Sequence, residues 1–297
     1  MSGGVALFRI VAKGRRVCYA RRMAVRIVML GDIVGMPGVH AVEQRMAGIR
    51  ERWQPDLVIA NAENAHNGSG LTPRLYRRLG EAGVDGMTLG DHVYKRNQIV
   101  RTLESETNIV RPANLSRQAS GLRWMKLPIP DRDLSIYVML VLGRIFSNLP
   151  ADDPFETVDA ILGEMPDLNP LVIVEIHAEA TSEKQAMGYH LDGRVAAVIG
   201  SHTHVPTADA HILAGGTAYL TDMGMCGPHV SILGRSVENV LTHMTTGMHA
   251  PFDVAEGDPR VNGVFVEIDD QTGRAQQIER IQLDADPHVA PFVGEQT

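Results

Sequence analysis

The sequence predicts an α/β fold in which two β-sheets pack face to face with helices on their outer surfaces. Short apolar runs alternate with segments of helical periodicity in both halves of the chain. A pair of strand-like runs joined by a polar turn stands between the halves, and a second such pair closes the sequence. Alternating strands and helices are typical of parallel βαβ units. A chain of 297 residues with 44% hydrophobic content can bury one substantial core.

The first half contains three apolar runs separated by two helical segments. In the first helical segment, Val39, Val42 and Met46 recur at helical spacing and Pro37 stands in the first turn. Thr72 precedes a proline and is the expected N-cap of the second helix. Strands are predicted at residues 25–30, 57–60 and 84–89, and helices at residues 37–53 and 72–82.

The second half begins with two strand-like runs that a polar turn joins, which indicates antiparallel strands of a second sheet or an edge. Strands and helices then alternate again, and Thr181 or Ser182 is the expected N-cap of the helix at residues 182–190. Strands are predicted at residues 124–127, 134–142, 171–176, 195–199, 217–220, 263–268 and 276–283, and helices at 154–164, 182–190 and 237–245.

Composition limits the class of protein. Residues 1–22 hold six basic residues and no acid, so removing their +6 from the formal charge of −7 leaves −13 for the rest. We therefore expect no stable nucleic-acid binding. No apolar run is long enough for a membrane span, so no membrane association is expected. Only Cys18 and Cys226 are present, which argues against a disulfide framework and predicts a cytoplasmic location.

Three segments are expected along the chain. Met23 stands directly before the first predicted strand, so residues 1–22 are interpreted as a basic N-terminal extension, either disordered or the product of an upstream start codon, in preference to a targeting segment. Residues 23–285 form a single domain, and residues 286–297 form a C-terminal tail.

Polar side chains that can bind metals follow five of the predicted strands. The carboxyl ends of parallel strands meet at one edge of a sheet, so side chains far apart in sequence can converge there. Mixed nitrogen and oxygen donors suit iron, manganese, zinc or cobalt better than calcium or magnesium. The candidates are Asp32, Glu63, Asn64, Asp91, His92, His177, His202 and His204.

Each candidate also has an ordinary structural interpretation. Gly31-Asp32 can be a simple turn, His177 can be a satisfied buried histidine, and His92 can be a turn histidine. Their common position at strand ends favours a single site. His66 and His229 are left without an assigned role because both lie in loops near candidate ligands, and Cys226 is expected to be a packing residue.

Five stretches of the chain resemble a known family. They are Gly31-Asp32-Ile33-Val34-Gly35, Asn61-Ala62-Glu63-Asn64, Ile176-His177-Ala178-Glu179, Ser201-His202-Thr203-His204 and Thr221-Asp222-Met223-Gly224. They are similar to motifs of the calcineurin-like metallophosphoesterases and, within them, of the YmdB-like bacterial branch. The resemblance implies a four-layer αββα sandwich with two mixed β-sheets, a dinuclear metal site and activity on phosphodiesters, particularly 2′,3′-cyclic nucleotides.

The resemblance also implies roles for the candidate residues. Asp32 and His204 would bind the first metal and Glu63 would bridge the two metals. Asp91, His177 and His202 would complete the second metal site, and Asn64 would be a ligand or a close neighbour of the ligands. His92 would be the catalytic general acid. Substrate-binding residues stay unassigned, although segments 67–71, 143–146 and 222–228 are expected near the substrate.

Two departures from the family pattern affect these expectations. Val34 occupies the position of a histidine in the wider superfamily, a loss that the YmdB-like branch shares. Asp91 stands where the family commonly has asparagine, and Val93-Tyr94-Lys95 replaces the usual threonine, tryptophan and acid. An anionic ligand at residue 91 would add negative charge to the site and change metal preference or Lewis acidity.

The resulting prediction is a phosphodiesterase with two divalent or trivalent metal ions, iron or manganese in preference to zinc or cobalt. A metal-bridging hydroxide is expected to attack phosphorus. The expected partner is a small-molecule nucleotide or phosphodiester. Formation of a homo-oligomer is compatible with the sequence. Two alternatives remain: a phosphomonoesterase or nucleotidase with the same metals, and a regulatory metal-binding scaffold for an RNA-processing partner.

Overall fold

The computed structural model describes residues 24–147, 149–167 and 170–286. The predicted N-terminal extension and all but the first residue of the predicted C-terminal tail lie outside these residues. The described strands are β1 (Ala24–Leu30), β2 (Asp32–Ile33), β3 (Leu57–Asn61), β4 (Gly86–Thr88), β5 (Ile109–Val110), β6 (Trp124–Pro128), β7 (Ser135–Leu142), β8 (Leu171–His177), β9 (Ala197–Ser201), β10 (His211–Ile212), β11 (Ala218–Leu220), β12 (Met225–Pro228), β13 (Pro259–Asp269) and β14 (Ala275–Asp284). The described helices are α1 (Gly35–Trp53), α2 (Pro73–Glu81), α3 (Ile99–Ser105), α4 (Pro154–Glu164), α5 (Thr181–His190) and α6 (Val237–Thr246).

The first sheet is mixed, with strand order β2-β12-β13-β1-β3-β4-β5 and β14 paired to β13. Strands β1, β3, β4 and β5 are parallel, whereas β13 runs antiparallel to β1. Leu30 pairs with Ala60, and Asn61 pairs with Thr88. This register aligns the carboxyl ends of β1, β3 and β4, so the loops that follow these strands begin at one edge.

The second sheet has strand order β10-β11-β9-β8-β7-β6. Strands β7, β8, β9 and β11 are parallel, and β6 pairs antiparallel with β7, as predicted for the two runs joined by a polar turn. The register of β8 with β9 places His177 directly beside Ser201. The second sheet therefore brings its polar strand ends together as the first sheet does.

Three layers of apolar side chains separate the four layers of structure. Ile27 and Ile59 of the first sheet pack with Ile173 and Ile199 of the second in the central core. Helices α1, α2 and α3 cover the outer face of the first sheet, and α4 and α5 cover that of the second. The predicted αββα sandwich of two mixed sheets is confirmed. Each apolar side chain that becomes fully buried stabilises the fold by about 1.5–3 kcal/mol.

Local sequence signals account for some helix starts and not others. Thr72 Oγ1 accepts a hydrogen bond from the Leu75 N–H at the start of α2, so the predicted N-cap is confirmed. The predicted cap of α5 is wrong: the helix already includes Thr181, and its N-cap is Ala180. The Ala180 carbonyl accepts the N–H groups of Glu183 and Lys184, so the first turn forms without a side-chain cap.

Most predicted boundaries agree with the structure to within two residues, but β13 begins at Pro259, four residues early. Its first residues pair with β12 on one side and β14 on the other, contacts that no local pattern reveals. Helix α3, which has seven residues and therefore only about two turns, was not predicted from the sequence. The short strands β2, β5, β10 and β12 were not predicted either, because two to four residues cannot display a periodicity. In the described part of the chain, no helix combines the length and apolarity needed to cross a membrane.

Candidate metal centre

The polar strand ends of both sheets converge at one edge of the sandwich. Four of the predicted residues form a tight cluster in which one ligand atom from each lies within 4.8 Å of the others: Glu63, Asp91, His177 and His202. His177 Nε2 lies at the centre of this cluster, 3.0 Å from Asp91 Oδ1, 3.2 Å from Glu63 Oε1 and 3.0 Å from His202 Nδ1. Two carboxylates and two imidazoles at this spacing can hold a metal ion.

The charges within the cluster shift its protonation strongly. Burial alone would lower the pKa of His177, but the carboxylates of Glu63 and Asp91 raise that pKa well above its ordinary value. Burial would likewise raise the pKa of Asp91, but hydrogen bonds with His177 and His202 bring that pKa far below its usual range. The cluster therefore concentrates negative charge that a cation would offset.

Asp32 lies beside this cluster and is completely buried. Its Oδ2 accepts a hydrogen bond from the His202 N–H at 3.2 Å. Its Oδ1 has no hydrogen-bond partner among the described residues and lies 3.9 Å from His177 Nδ1. Burial raises the pKa of this carboxyl well above its ordinary value. An unpartnered buried carboxylate oxygen is costly, and a bound cation would remove that cost.

Asn64 connects the cluster to two further histidines. Its Nδ2 lies 3.2 Å from His204 Nε2, and its Oδ1 lies 2.6 Å from His92 Nδ1. His204 Nδ1 lies 3.0 Å from the Leu233 carbonyl and must donate to it, so in the neutral ring Nε2 carries the lone pair. Burial lowers the pKa of His204, which favours this neutral form. His204 thus presents a ligand nitrogen on the side of Asn64.

His92 lies at the rim of the site rather than within the four-residue cluster. Its backbone N–H donates to Glu63 Oε2 at 2.9 Å, and its side chain is 28% exposed. The amide oxygen of Asn64 can only accept, so His92 Nδ1 donates to it. His92 Nε2 lies 3.6 Å from Asp91 Oδ2. The hydrogen bond from Nδ1 to Asn64 therefore orients the His92 ring, and Nε2 takes no part in that bond.

A buried glutamate is linked to His177 through the hydroxyl group of Ser201. Glu175 accepts hydrogen bonds from the Asn61 amide at 2.8 Å, the Thr88 hydroxyl at 2.6 Å and the Ser201 hydroxyl at 2.6 Å. Burial raises the pKa of Glu175, and these three donors oppose the shift. Sequence reasoning gave Glu175 no role, although an acid inside the apolar run Leu171–His177 was a visible signal.

A second buried pair shapes the turn that carries His202 and His204. Both residues have left-handed backbone, with φ values of 97° and 65°. Between them, Thr203 donates its N–H and hydroxyl to Asp222 Oδ2, at 3.1 and 2.8 Å. The same oxygen lies 2.6 Å from Lys184 Nζ, and both residues of this ion pair are buried. Asp222 belongs to one of the sequence motifs, but no local pattern indicated that it pairs with Lys184.

A cavity of about 300 Å³ opens beside the four-residue cluster. Asp91, His177, Glu179 and His202 line its polar side, and Glu179 Oε2 lies 3.4 Å from His202 Nε2. The rest of its lining includes Leu142, Gly143, Phe146 and Leu149. Of the three segments expected near the substrate, 143–146 is the one that contributes to this lining.

The other residues considered from sequence lie outside the cluster. Cys226 is fully buried in the core under α1, and burial raises its pKa to about 12, so it is a packing residue as expected. His229 contacts the Gly227 carbonyl and the Asn262 amide. His66 is half-buried in the turn after Asn64, and Val34 is buried at the start of α1. None of these four residues belongs to the described cluster.

Comparisons with known proteins agree with this architecture. A family model described as “YmdB-like protein” matches residues 28–281. The chain is 40% identical over 261 residues to the 2′,3′-cyclic-nucleotide 2′-phosphodiesterase of Bacillus subtilis (strain 168), across 88% of this chain and 98% of that protein.

Two solved structures have the same fold. A hypothetical protein from Thermus thermophilus superposes with a TM-score of 0.82 at 42% identity, over 88% of this chain and 100% of that chain. A protein from Mycoplasma pneumoniae described as a novel phosphatase superposes with a TM-score of 0.82 at 33% identity, over 89% of this chain and 95% of that chain.

Proposed function

The chain belongs to the YmdB-like protein family, and from that premise we propose that it is a metal-dependent phosphodiesterase that opens 2′,3′-cyclic nucleotides. The observation that carries the proposal is the cluster of Glu63, Asp91, His177 and His202 beside a cavity. The likeness to the Bacillus subtilis enzyme supports cleavage of the bond from phosphorus to the 2′-oxygen, which leaves a nucleoside 3′-monophosphate.

The donor set supports a site for two metal ions. Glu63, Asp91, His177 and His202 would hold one ion. Asp32, with its unpartnered buried oxygen, and His204 would hold the other, with Glu63 between the two ions and Asn64 as a ligand or close neighbour. Bound metals would activate water for attack on phosphorus and stabilise charge on the phosphoryl oxygens. Nitrogen and oxygen donors favour iron or manganese, with zinc or cobalt as alternatives.

His92 would act as the general acid. Asn64 Oδ1 holds the Nδ1 proton at 2.6 Å and so orients the ring. In the imidazolium form, Nε2 carries the second proton and can pass it to the 2′-oxygen as the bond to phosphorus breaks. The product alcohol then leaves without developing a full negative charge.

The cavity size supports a small substrate. About 300 Å³ is at the lower end of the range of small-molecule pockets, roughly 300–1,000 Å³. We propose a mononucleotide rather than a folded nucleic acid as the substrate, because the walls near the cluster carry the acids Asp91 and Glu179. A cytoplasmic location remains a prediction.

A phosphomonoesterase is the second candidate, because the structurally similar Mycoplasma pneumoniae protein is described as a phosphatase. One assay separates the two functions. The purified protein, loaded with iron or manganese, would be incubated with 2′,3′-cyclic nucleotides, 3′,5′-cyclic nucleotides and nucleoside monophosphates. We expect a 3′-monophosphate as the product from the first substrate, identified by phosphorus NMR. Release of inorganic phosphate from monoesters with no turnover of any diester would favour the phosphomonoesterase.

A further inference from the structure

Phe146 is an exposed aromatic ring beside the candidate metal centre. It is 84% exposed and lines the same cavity as Asp91, His177 and His202. A single exposed apolar residue needs no explanation by itself. The position of this ring needs an explanation, because the ring lies at the cavity where the substrate would bind and contributes little to the core.

The loop that carries Phe146 is tied to the elements that position the metal centre. Gly143 donates its N–H to the His177 carbonyl at 3.0 Å. The buried carboxylate of Glu183, on α5, accepts the N–H groups of Arg144 at 2.8 Å and Ile145 at 3.3 Å. The backbone on the N-terminal side of Phe146 is therefore held relative to His177, the central residue of the cluster.

Two backbone features show that the conformation of this loop is closely constrained. A Cβ atom at Gly143 would collide with Glu183 Oε2 and Ala178 Cβ, so glycine permits the close approach of the loop to α5. Phe146 has a left-handed backbone with φ of 63°, a region that disfavours residues with a Cβ atom. A strained backbone next to a binding site is a recurring sign of function, and here it carries an aromatic side chain.

We propose that Phe146 is the stacking surface for the nucleobase of the substrate, an inference that rests on the proposed function. Apart from Phe146 and the polar residues of the metal-centre side, the described lining of the cavity consists of the apolar Leu142, Leu149 and Ala178 and the small Gly143 and Ser147. These side chains offer few groups that could read the edge of a base. Stacking tolerates any base, because every base has a flat π-face. The enzyme should therefore prefer substrates with a base while discriminating weakly among the bases.

The test compares two cyclic phosphates that differ only in the base. One is adenosine 2′,3′-cyclic phosphate and the other is methyl riboside 2′,3′-cyclic phosphate, which has a ribose and no base. Phe146→Ala should raise KM for the nucleotide about 5- to 150-fold, as expected for the loss of one base–aromatic stack. It should leave KM for the base-free substrate unchanged, and Phe146→Trp should retain the preference for the nucleotide.

Ile145→Ala is the matched control, because Ile145 is an exposed apolar residue of the same loop that does not line the cavity. It should leave both KM values unchanged. Equal effects of Phe146→Ala on the two substrates, or no effect on either, would overturn the stacking role and leave the proposed function intact. A wild-type protein that hydrolyses neither cyclic phosphate under any metal loading would overturn the proposed function and this inference with it.

Discussion

His177 Nδ1 lies 2.9 Å from the hydroxyl oxygen of Ser201, the residue beside it in the register of β8 and β9. Ser201 donates its only hydroxyl proton to Glu175 Oε1, so it must accept from His177 Nδ1. The ring proton of neutral His177 is therefore on Nδ1, and the lone pair of Nε2 points into the cluster. A chain of two hydrogen bonds sets which nitrogen of His177 is available to a metal.

Ser201→Ala should weaken metal binding about 10- to 100-fold, as is typical when a partner that orients a metal-binding histidine is removed. The variant leaves the Nδ1 proton without its acceptor and frees the ring to rotate. Titration of the metal-free protein with Mn²⁺, followed by calorimetry, measures the change. Ser105→Ala is a suitable control, because Ser105 is exposed at the end of α3. Unchanged affinity in Ser201→Ala would show that His177 is oriented by its other contacts.

His92→Asn should lower kcat for 2′,3′-cyclic nucleotides about 10²- to 10⁴-fold while metal content stays the same. A p-nitrophenyl diester provides the control, since p-nitrophenolate leaves without a proton and its hydrolysis should be affected much less. Equal losses on both substrates would contradict proton donation by His92.

Asp91→Ala should reduce metal occupancy more than Asp91→Asn, because alanine removes the ligand oxygen and asparagine removes only its charge. Asparagine should still bind a metal, with lower affinity and with kcat per loaded enzyme within about tenfold of the wild type, since less negative charge leaves the metal a stronger Lewis acid. Elemental analysis and initial rates measure both quantities. If both variants keep the metal content of the wild type, Asp91 is not a ligand.

Lys184→Met should destabilise the fold by about 3–5 kcal/mol, because it leaves Asp222 as a buried charge without its partner. Chemical unfolding of the metal-free proteins measures the loss, which separates it from effects on metal binding. Arg117→Met is the contrasting variant. Arg117 lies 3.8 Å from Glu164 in an exposed pair, and solvent already screens that pair, so stability should change little. A small effect of Lys184→Met would mean that the site tolerates an unpaired Asp222.

Cys226 should resist alkylation in the folded protein. Burial raises the pKa of its thiol from about 9 to about 12, so almost no thiolate is present at pH 8. Mass spectrometry of a Cys18→Ser variant treated with iodoacetamide should show no label at pH 8, and full labelling once the protein is unfolded. Rapid labelling of the native protein would indicate that the core beneath α1 opens readily.

Long periodic elements were predictable from the sequence, as α1 and the βα units of the first sheet demonstrate. Their signals are local: apolar spacing, Pro37 in the first turn of α1 and Thr72 before Pro73. Short elements such as β2 and β12 were not, because they exist through pairing with each other and with β13. The first four residues of β13, residues 259–262, were not predicted for the same reason.

The residue types at the strand ends, and their convergence at one edge, follow from the amino-acid order alone, because a parallel α/β sheet places its strand ends together. That order does not reveal which of these residues touch. Packing of the two sheets across the central core brings His177 to Glu63 and Asp91, and sheet register brings Ser201 under His177. Such contacts join residues far apart in the chain, and their distances depend on how whole sheets pack. The roles of Glu175, Lys184 and Asp222 in holding the histidines of the site in place therefore became visible in the folded molecule and not before.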